Sequence, residues 1–325
     1  MIQFGYTLSS EEQSPLESVR YAARAEELGF EFLMISDHYH PWVNEQPHSP
    51  FVWSTIGAVA VVTEKIRLGT GVTCPTFRYH PTIVAQAAAT CQEMMEGRFF
   101  LGLGTGENLN EHIIGEGWPA YSVRREMLEE SINVIRLLWE GGEQSHYGPY
   151  YTVENAKIYT LPEQLPRIIV AAGGPSSAEL AGQLGDGLCS TSPSEEVVNA
   201  FDKAGGSGKP RYGQITVCWA ENEKEAIATA LRIWPNAGLG GELSQELPTP
   251  THFEQATSLV READIAKAVV CGPDPDKYMK KVSEYVAAGF DHIYFHQVGP
   301  DQEGFFRFYK EELEASLVEL ASKSA

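Results

Sequence analysis

The stretch FLMISDHYHPW, residues 32–42, joins a short apolar run to a cluster of polar and aromatic side chains. A second stretch of the same form, FFLGLGTGENLN, covers residues 99–110. An apolar run that ends in polar or glycine residues is typical of a buried strand followed by a loop. In an α/β barrel, the residues just beyond the strands converge on one end of the barrel. The two stretches therefore predict one site that combines an imidazole, a carboxylate and an indole.

Strand-like and helix-like segments alternate along the chain, and the junction LGFEF at residues 28–32 has a counterpart in AGFDH at residues 288–292. Eight strands are predicted near Ile2, Phe32, Ile66, Phe99, Ile168, Gly187, Ile215 and Ile293. Eight β-α units favour a (β/α)8 TIM barrel over an open doubly wound sheet, and the dinucleotide fingerprint is absent. We predict one domain over residues 1–325, with a hairpin insertion at residues 140–166 and a second insertion at residues 235–251.

Composition narrows the partners and the compartment. The chain has 44 Asp and Glu residues against 24 Lys and Arg residues, a formal charge of −20. Phosphate backbones need clustered basic side chains, so we expect no nucleic-acid partner. No apolar run approaches the roughly 20 residues of a membrane span, and the amino terminus does not have the pattern of a secretory signal. The five cysteines never form a Cys-x-x-Cys pair, which predicts free thiols in the cytoplasm.

His38 and Glu107 are the main candidates for acid-base chemistry. An imidazole just past a barrel strand lies where catalytic side chains are found, although Asp37 and His38 would also suit a helix cap and a solvated loop. Glu107 follows two glycines, and a desolvated carboxylate there would act as a proton donor or simply start a turn. His38 and His40 have the spacing of a metal pair, but two imidazoles need further ligands. We predict no metal site.

Two further loops suit anionic groups. The loop GVTCPTFRYHP, residues 71–81, contains Arg78, which either anchors an anion or braces the barrel rim together with Tyr79. The turn AAGGPSS, residues 171–177, either presents free backbone N–H groups to a phosphate or is a tight turn into a helix that begins with proline. We favour the phosphate interpretation slightly for this second loop.

Four motifs together make the chain resemble the luciferase-like flavin and deazaflavin superfamily, and within it the coenzyme F420-dependent glucose-6-phosphate and secondary-alcohol dehydrogenases. They are SDHYHPW at residues 36–42, TCPTFRYHP at 73–81, GTGENLNE at 104–111 and AGGP at 172–175. The resemblance spans nearly the whole chain. It implies a luciferase-like barrel, bound F420 and a homodimer.

The resemblance also implies roles for matching residues. His38 would take the hydroxyl proton of an alcohol, Glu107 would protonate the reduced deazaflavin, and Trp42 would shield the pocket from water. The peptide bond between Gly71 and Val72 would be cis. The implied cofactor-binding residues are Asp37, Gly71, Val72, Asn110, Gly173, Gly174, Ser176 and Ser177.

The chain departs from the glucose-6-phosphate dehydrogenases at the substrate end. Those enzymes hold the sugar phosphate with lysines and an arginine, whereas the matching segments here are residues 191–194, the region of Ser244 and residues 265–268. Thr191 is retained as a predicted substrate contact, and Lys267 is the one cation in these segments. Because a dianionic phosphate binds poorly without paired cations, we predict a neutral alcohol or an unphosphorylated sugar as substrate.

Three alternatives stay open at this point. The first is an F420-dependent glucose-6-phosphate dehydrogenase, and the second is an FMN-dependent luciferase-like monooxygenase. The third is a metal-dependent hydrolase that uses His38 and His40. A barrel that binds a ligand without catalysis is a further possibility, which the acid-base pair argues against.

Overall fold

Eight parallel strands close into a barrel in the computed structural model, which describes residues 2–323. The strands are β1 (Gln3–Leu8), β2 (Phe32–Ile35), β3 (Arg67–Thr70), β4 (Phe99–Leu103), β5 (Gln144–Tyr147), β6 (Thr152–Ala156), β7 (Arg167–Ala171), β8 (Gly187–Ser190), β9 (Arg211–Cys218), β10 (Val270–Cys271) and β11 (His292–Gln297). The barrel order is β1-β2-β3-β4-β7-β8-β9-β11, and β11 pairs with β1 to close it. The predicted (β/α)8 TIM barrel is thus confirmed.

The helices surround this barrel. They are α1 (Pro15–Leu28), α2 (Val52–Val62), α3 (Pro81–Met94), α4 (Asn108–Glu111), α5 (Tyr121–Trp139), α6 (Pro175–Leu184), α7 (Glu195–Phe201), α8 (Glu223–Ile233), α9 (Leu243–Glu246), α10 (Pro250–Thr257), α11 (Glu262–Ala268), α12 (Pro275–Ala287), α13 (Gln302–Phe308) and α14 (Glu314–Lys323). Short 3₁₀ segments lie at His112–Ile114 and Pro235–Gly238, and π-helical turns at Asp202–Gly206 and Tyr309–Leu313. In residues 2–323 we find no helix whose length and apolarity would allow it to cross a bilayer.

Aromatic rings fill the lower part of the barrel interior. Phe32 and Phe100 pack against Tyr212 with ring centroids 5.2 and 5.1 Å apart. These rings fit because the neighbouring strands carry glycine: a Cβ atom on Gly69 would lie 2.0 Å from the Phe100 ring. These rings fill the interior at this level, and barrel enzymes place their sites at the opposite end, where the carboxyl ends of the strands lie.

Most predicted elements are present, and the differences have local causes. The hairpin insertion contains the antiparallel pair β5–β6, and an additional two-residue strand, β10, pairs with β9 outside the eight barrel strands. Sequence periodicity missed α7, α10 and α11, which have only seven or eight residues each. Two turns of helix are too short for a 3.6-residue pattern to stand out. The second insertion likewise contains α9 rather than irregular chain alone.

Candidate active site

A crevice of about 280 Å³ opens at the carboxyl ends of the barrel strands. Its walls come from the loops that follow β2, β3, β4, β7 and β8, and from the second insertion. The predicted site residues that line it are Asp37, His38, Gly71, Val72, Glu107, Asn110, Gly173, Ser177 and Thr191. Residues from both stretches, 32–42 and 99–110, therefore line the same crevice.

Three predicted site residues lie beside the crevice rather than on its surface. Trp42 is buried, and its ring packs edge-on against the His38 imidazole with centroids 5.1 Å apart. The Trp42 ring also packs edge-on against the ring of Phe253 in α10, again with centroids 5.1 Å apart. Gly174 and Ser176 flank the crevice at the start of α6, where Ser176 is exposed. Trp42 can thus act on the site only through His38.

His38 is held between two carboxylates. Its Nδ1 atom lies 2.9 Å from Oε1 of Glu11, and its Nε2 atom lies 3.2 Å from Oε2 of Glu107. Glu11 is fixed in turn by the Ser36 hydroxyl, which donates a hydrogen bond of 2.8 Å to its Oε2 atom. The Glu11–His38–Glu107 array therefore lines up two carboxylates on one imidazole, with only the Glu107 end open to the crevice.

Sequence reasoning missed Glu11. It lies three residues beyond β1, in the stretch LSSEEQ at residues 8–13. The strand-end rule that found His38 after β2 and Glu107 after β4 applies equally to β1. The available signal was an acidic residue shortly after a strand. The adjacent Glu12 and the polar neighbours, however, make this stretch look like an ordinary exposed turn.

The array shifts the acid-base behaviour of its members. Burial disfavours the imidazolium, but the charges of Glu11 and Glu107 outweigh burial and raise the pKa of His38 well above its usual range. Burial alone would raise the pKa of Glu11, yet the His38 charge and hydrogen bonds hold it below the usual carboxyl range. Glu107 keeps 28% of its side chain exposed, and desolvation of its carboxyl end nevertheless raises its pKa against the opposing charge of His38.

Asn110 ties the His38 loop to the Glu107 loop. Its Oδ1 atom accepts hydrogen bonds from the backbone N–H groups of Tyr39 and His40, at 2.8 and 3.1 Å. Its Nδ2 atom donates to Oε2 of Glu107 at 3.0 Å. The side chain thus orients the acid toward His38 in addition to lining the crevice.

Asp37 is the centre of a second buried polar cluster. Its carboxylate accepts hydrogen bonds from the Thr73 hydroxyl at 2.7 Å, the Arg78 guanidinium at 3.0 Å and the Tyr79 hydroxyl at 3.2 Å. Arg78 also faces Glu111, with 3.6 Å between its Nε atom and Oε1. Arg78 is committed to two internal carboxylates, so the bracing interpretation of this residue fits the structure and the anion-anchor interpretation does not.

The crevice offers a flat apolar wall. The Gly71–Val72 peptide bond is cis, as the family resemblance implied. Val72 occupies space that glycines leave free, because a Cβ atom on Gly104 would lie 2.7 Å from its Cγ2 atom. Together with the small side chains of Ala171 and Ala172, Val72 leaves room for a planar ring.

The amino-terminal turn of α6 suits an anionic group. Gly174 is the N-cap residue, Pro175 occupies the first turn, and the Ser177 hydroxyl donates to the Gly174 carbonyl at 2.9 Å. A Cβ atom on Gly173 or Gly174 would meet nothing within 4 Å, so the space in front of this turn is open. Free backbone N–H groups and the helix dipole favour a phosphoryl group in such a place.

The remaining wall is uncharged. We call it the substrate half, and the Glu11–His38–Glu107 array with Asp37 the catalytic half. The substrate half consists of Ser190, Thr191, Gln214, Ser244 and Gln245. Among the described residues that line the crevice, none is Lys or Arg. Lys267, the remaining candidate cation, is exposed on α11 and does not reach the crevice lining.

The two neighbouring imidazoles turn to different partners. His38 faces its carboxylates, whereas the Nδ1 atom of His40 lies 2.9 Å from the Leu109 carbonyl and its ring stacks on His112 at 5.7 Å. Across residues 2–323, no three His, Cys, Asp or Glu side chains are grouped so as to hold a metal ion. The arrangement gives the metal-hydrolase alternative no support.

Comparison with known proteins agrees with this geometry. The luciferase-like monooxygenase family model matches residues 1–292. The chain is 35% identical to an F420-dependent glucose-6-phosphate dehydrogenase of Microbacterium testaceum over 324 residues, covering 96% of both chains. A second such dehydrogenase, from Mycolicibacterium gilvum, is 36% identical over 333 residues and covers 98% of this chain and 99% of its own.

Among solved structures, the chain superposes on an F420-dependent secondary alcohol dehydrogenase in complex with an F420-acetone adduct. The TM-score is 0.90 at 30% identity, with 97% of this chain and 98% of the other chain covered. The matched span and the shared barrel lead to one conclusion: this chain belongs to the luciferase-like monooxygenase family.

Proposed function

We propose that this protein is a coenzyme F420-dependent oxidoreductase that interconverts a neutral alcohol or unphosphorylated sugar and the corresponding carbonyl compound. Relatives that cover nearly the whole chain are F420-dependent enzymes that act on CH–OH groups. The observation that carries the finer proposal is a buried acid-base array that faces an uncharged wall across one crevice.

The residues of the crevice fit F420 well. Val72 and the small residues after β7 suit the planar ring, and the first turn of α6, with Gly173, Gly174, Ser176 and Ser177, suits the phosphodiester. Gly71, Asp37 and Asn110 complete the cofactor side. When bound, F420 supplies the acceptor for the hydride that leaves the alcohol carbon.

The chain itself handles the proton. Oxidation of CH–OH to C=O releases one hydride and one hydroxyl proton, and His38 takes the proton at Nε2. Glu11 behind Nδ1 stabilises the imidazolium that forms, as a buried carboxylate orients and supports a catalytic histidine elsewhere. Glu107, whose Oε2 atom lies 3.2 Å from Nε2, can exchange a proton with His38 and would be the proton donor on the cofactor side when F420 is bound. Trp42 holds the imidazole edge-on and keeps water from its far side.

The substrate half argues for a neutral substrate. Hydroxyl and amide groups of Thr191, Gln214 and Gln245 can donate to and accept from sugar or alcohol hydroxyls. Among the described lining residues a phosphate dianion would find no Lys or Arg, and it would meet the carboxylates of Asp37, Glu107 and Glu111. A glucose-6-phosphate dehydrogenase activity is therefore the weaker candidate for this chain.

The test is a binding titration of the purified protein with oxidised F420 and, separately, with FMN. A panel of 2-propanol, cyclohexanol, glycerol and glucose is then added while the visible absorbance of the deazaflavin is followed. We expect F420 binding and bleaching by at least one neutral compound. Preference for FMN would move the protein to the monooxygenases and remove the proposed roles of His38 and Glu107.

We also propose that the protein is a homodimer. The helix α2 is apolar on nearly all sides, yet its outer residue Val61 is 76% exposed, and Val62 beside it is exposed too. Ile83 and Met94 on the adjacent α3 extend this apolar surface. A helix that is apolar all round is normally covered. Light scattering should give twice the mass of the 35.8 kDa chain, and Val61→Lys should shift it toward the monomer.

A cytoplasmic location is consistent with the thiols. All five cysteines are free and buried. Proteins of oxidising compartments commonly pair their cysteines, whereas reduced thiols are usual in the cytosol. Fractionation of the native host would test this.

A further inference from the structure

Arg124 is a buried cation outside the proposed chemistry. It lies one turn into α5, and its side chain is only 1% exposed, among the largest fully buried side chains of the protein. A charged group in such a place is unfavourable unless it is paired and hydrogen-bonded. Its partners therefore indicate which parts of the fold depend on it.

The partners of Arg124 come from two separate segments. On its own side, it donates to the Pro119 carbonyl at 2.7 Å, and its guanidinium lies 4.2 Å from the Trp118 ring centroid. On the other side, it donates to Oε1 of Glu246 at 3.2 Å and to Oε1 of Gln245 at 3.3 Å. Both acceptors belong to α9 in the second insertion.

Both segments contribute to the wall of the crevice. Tyr121, at the start of α5, and Gln245 both line it. Glu246 is 48% exposed, so α9 sits on the protein surface with solvent on its outer side. Residues 240–242, just before α9, are exposed as well. Hydrogen bonds from the buried Arg124 guanidinium thus hold α9, a helix that otherwise lies on the protein surface.

A second bond ties the insertion to the Glu107 loop. The Nδ2 atom of Asn108, the residue after Glu107, donates to the Glu246 carbonyl at 2.9 Å. The position of α9 is therefore coupled to the loop that carries the proposed acid, and Glu246 is the residue that both bonds share.

We propose that Arg124 is a positioning residue for substrate binding: its guanidinium locks Gln245 and Glu246 against the 118–121 segment and so builds the outer wall of the substrate half. Substrate hydroxyls meet a Gln245 side chain whose carbonyl oxygen is already held by Arg124. Loss of the guanidinium frees the Gln245 and Glu246 side chains and weakens substrate binding, while the Asn108 bond to the Glu246 carbonyl, the cofactor side and the Glu11–His38–Glu107 array are kept. The kinetic part of this inference rests on the proposed function.

Arg124→Met tests the lock, because methionine keeps an apolar chain beside Trp118 and removes the charge. Arg136→Met is the matched control on the same helix, since Arg136 is half-exposed and pairs with Asp186 away from the crevice. For whichever of 2-propanol, cyclohexanol, glycerol and glucose is oxidised, we expect KM to rise about 10-fold or more in Arg124→Met. We expect kcat to change less than about 3-fold, and the F420 affinity to stay unchanged.

Hydrogen exchange of residues 239–247 gives a readout that needs neither cofactor nor turnover. Amides in this segment should exchange faster in Arg124→Met than in the wild type or Arg136→Met, with the rest of the chain unchanged. Wild-type exchange rates there, together with an unchanged KM, would overturn the proposal. If the wild type oxidises no alcohol at all, the proposed function fails, while the exchange result still decides the lock.

Glu246→Gln tests the same contact if Arg124→Met fails to fold. The Glu246 side chain is half-exposed, and its loss leaves Gln245 and the Asn108 bond in place. We expect KM to change in the same direction but by less, and Glu246→Gln should add little to the effect of Arg124→Met in the double variant. Fully additive effects of the two substitutions on KM would contradict a direct lock between them.

Discussion

The two halves of the crevice differ in how they use charge. In the catalytic half, Glu11, His38, Asp37 and Glu107 are ionisable, and each is bound to a partner from the chain itself. In the substrate half, Thr191, Gln214, Ser244 and Gln245 present only hydroxyl and amide groups. The acidic and imidazole side chains that line the crevice therefore lie outside its substrate half, which presents no charged side chain to a bound substrate. This contrast supports the proposal that acid-base groups suited to alcohol oxidation are combined here with a site for an uncharged substrate.

The largest expected effect comes from breaking the catalytic half at its centre. His38→Ala removes the group that takes the hydroxyl proton, and general base catalysis contributes about 10²- to 10⁴-fold. We expect alcohol oxidation to fall by about 10³-fold with F420 binding unchanged in a spectroscopic titration. His40→Ala is the matched control, because that imidazole does not line the crevice. Near-wild-type turnover in His38→Ala would remove His38 from the mechanism.

A smaller loss is expected when the support behind His38 is removed. Glu11→Gln keeps the shape and a hydrogen-bonding oxygen but loses the charge that stabilises the imidazolium. A hydrogen bond to a charged group contributes about 1.5–3 kcal/mol, so kcat should fall about 10- to 100-fold. Steady-state kinetics with saturating F420 measures this. An unchanged kcat would mean that Glu11 has only a structural role.

The pH profile tests the same array without mutation. The base must be neutral to accept a proton, and the carboxylates raise the pKa of His38, so the imidazolium persists above its usual range. Oxidation should therefore become faster as pH rises past neutrality, by about 10-fold per pH unit below the apparent pKa of the array. Carbonyl reduction, which needs the protonated form, should slow over the same interval. In Glu11→Gln the oxidation profile should move to lower pH, and a profile that stayed in place would contradict the assignment.

The smallest expected effect comes from adding positive charge to the substrate half. Ser244 lines the substrate half, and Ser194 lies in the 191–194 segment, where the family resemblance implies basic residues in the glucose-6-phosphate dehydrogenases. A Ser194→Lys and Ser244→Lys double variant should raise kcat/KM for glucose 6-phosphate by about 10-fold, through charge-assisted contacts with the phosphate. The value for a neutral alcohol should fall or stay level. A rise for both substrates would show that charge is not what the substrate half selects.

Sequence reasoning could identify a site residue where neighbouring residues in the chain marked its position, and failed where the evidence was a contact with a distant residue. The strand-end residues His38 and Glu107 could be found because a short apolar run marks each strand, and position after the run is enough, whereas Thr191 came only from the family resemblance. Glu11 was missed, since its neighbours make the end of β1 look like an exposed turn. The Arg78 cluster was left open because only distance shows that its guanidinium is already paired with Asp37 and Glu111.

Long-range partners were beyond sequence reasoning for the same reason. Arg124 and Glu246 are separated by 122 positions, and nothing in either local pattern points to the other. Likewise, Trp42 was predicted as a pocket wall, whereas its ring contacts the crevice only through His38 and packs on Phe253. Periodicity predicts which face of a helix or strand a residue occupies. It does not predict which distant residue it contacts, because that depends on how the barrel closes.

The central claim is that the catalytic half serves a neutral substrate, and one comparison tests it most directly. With F420 bound to the wild-type protein, kcat/KM is measured from deazaflavin bleaching for 2-propanol, cyclohexanol, glycerol and glucose, and for the phosphate esters glycerol 3-phosphate and glucose 6-phosphate. We predict that at least one neutral compound exceeds both esters in kcat/KM, and that glucose 6-phosphate has no advantage over glucose. Turnover of glucose 6-phosphate well above every neutral compound would contradict the account.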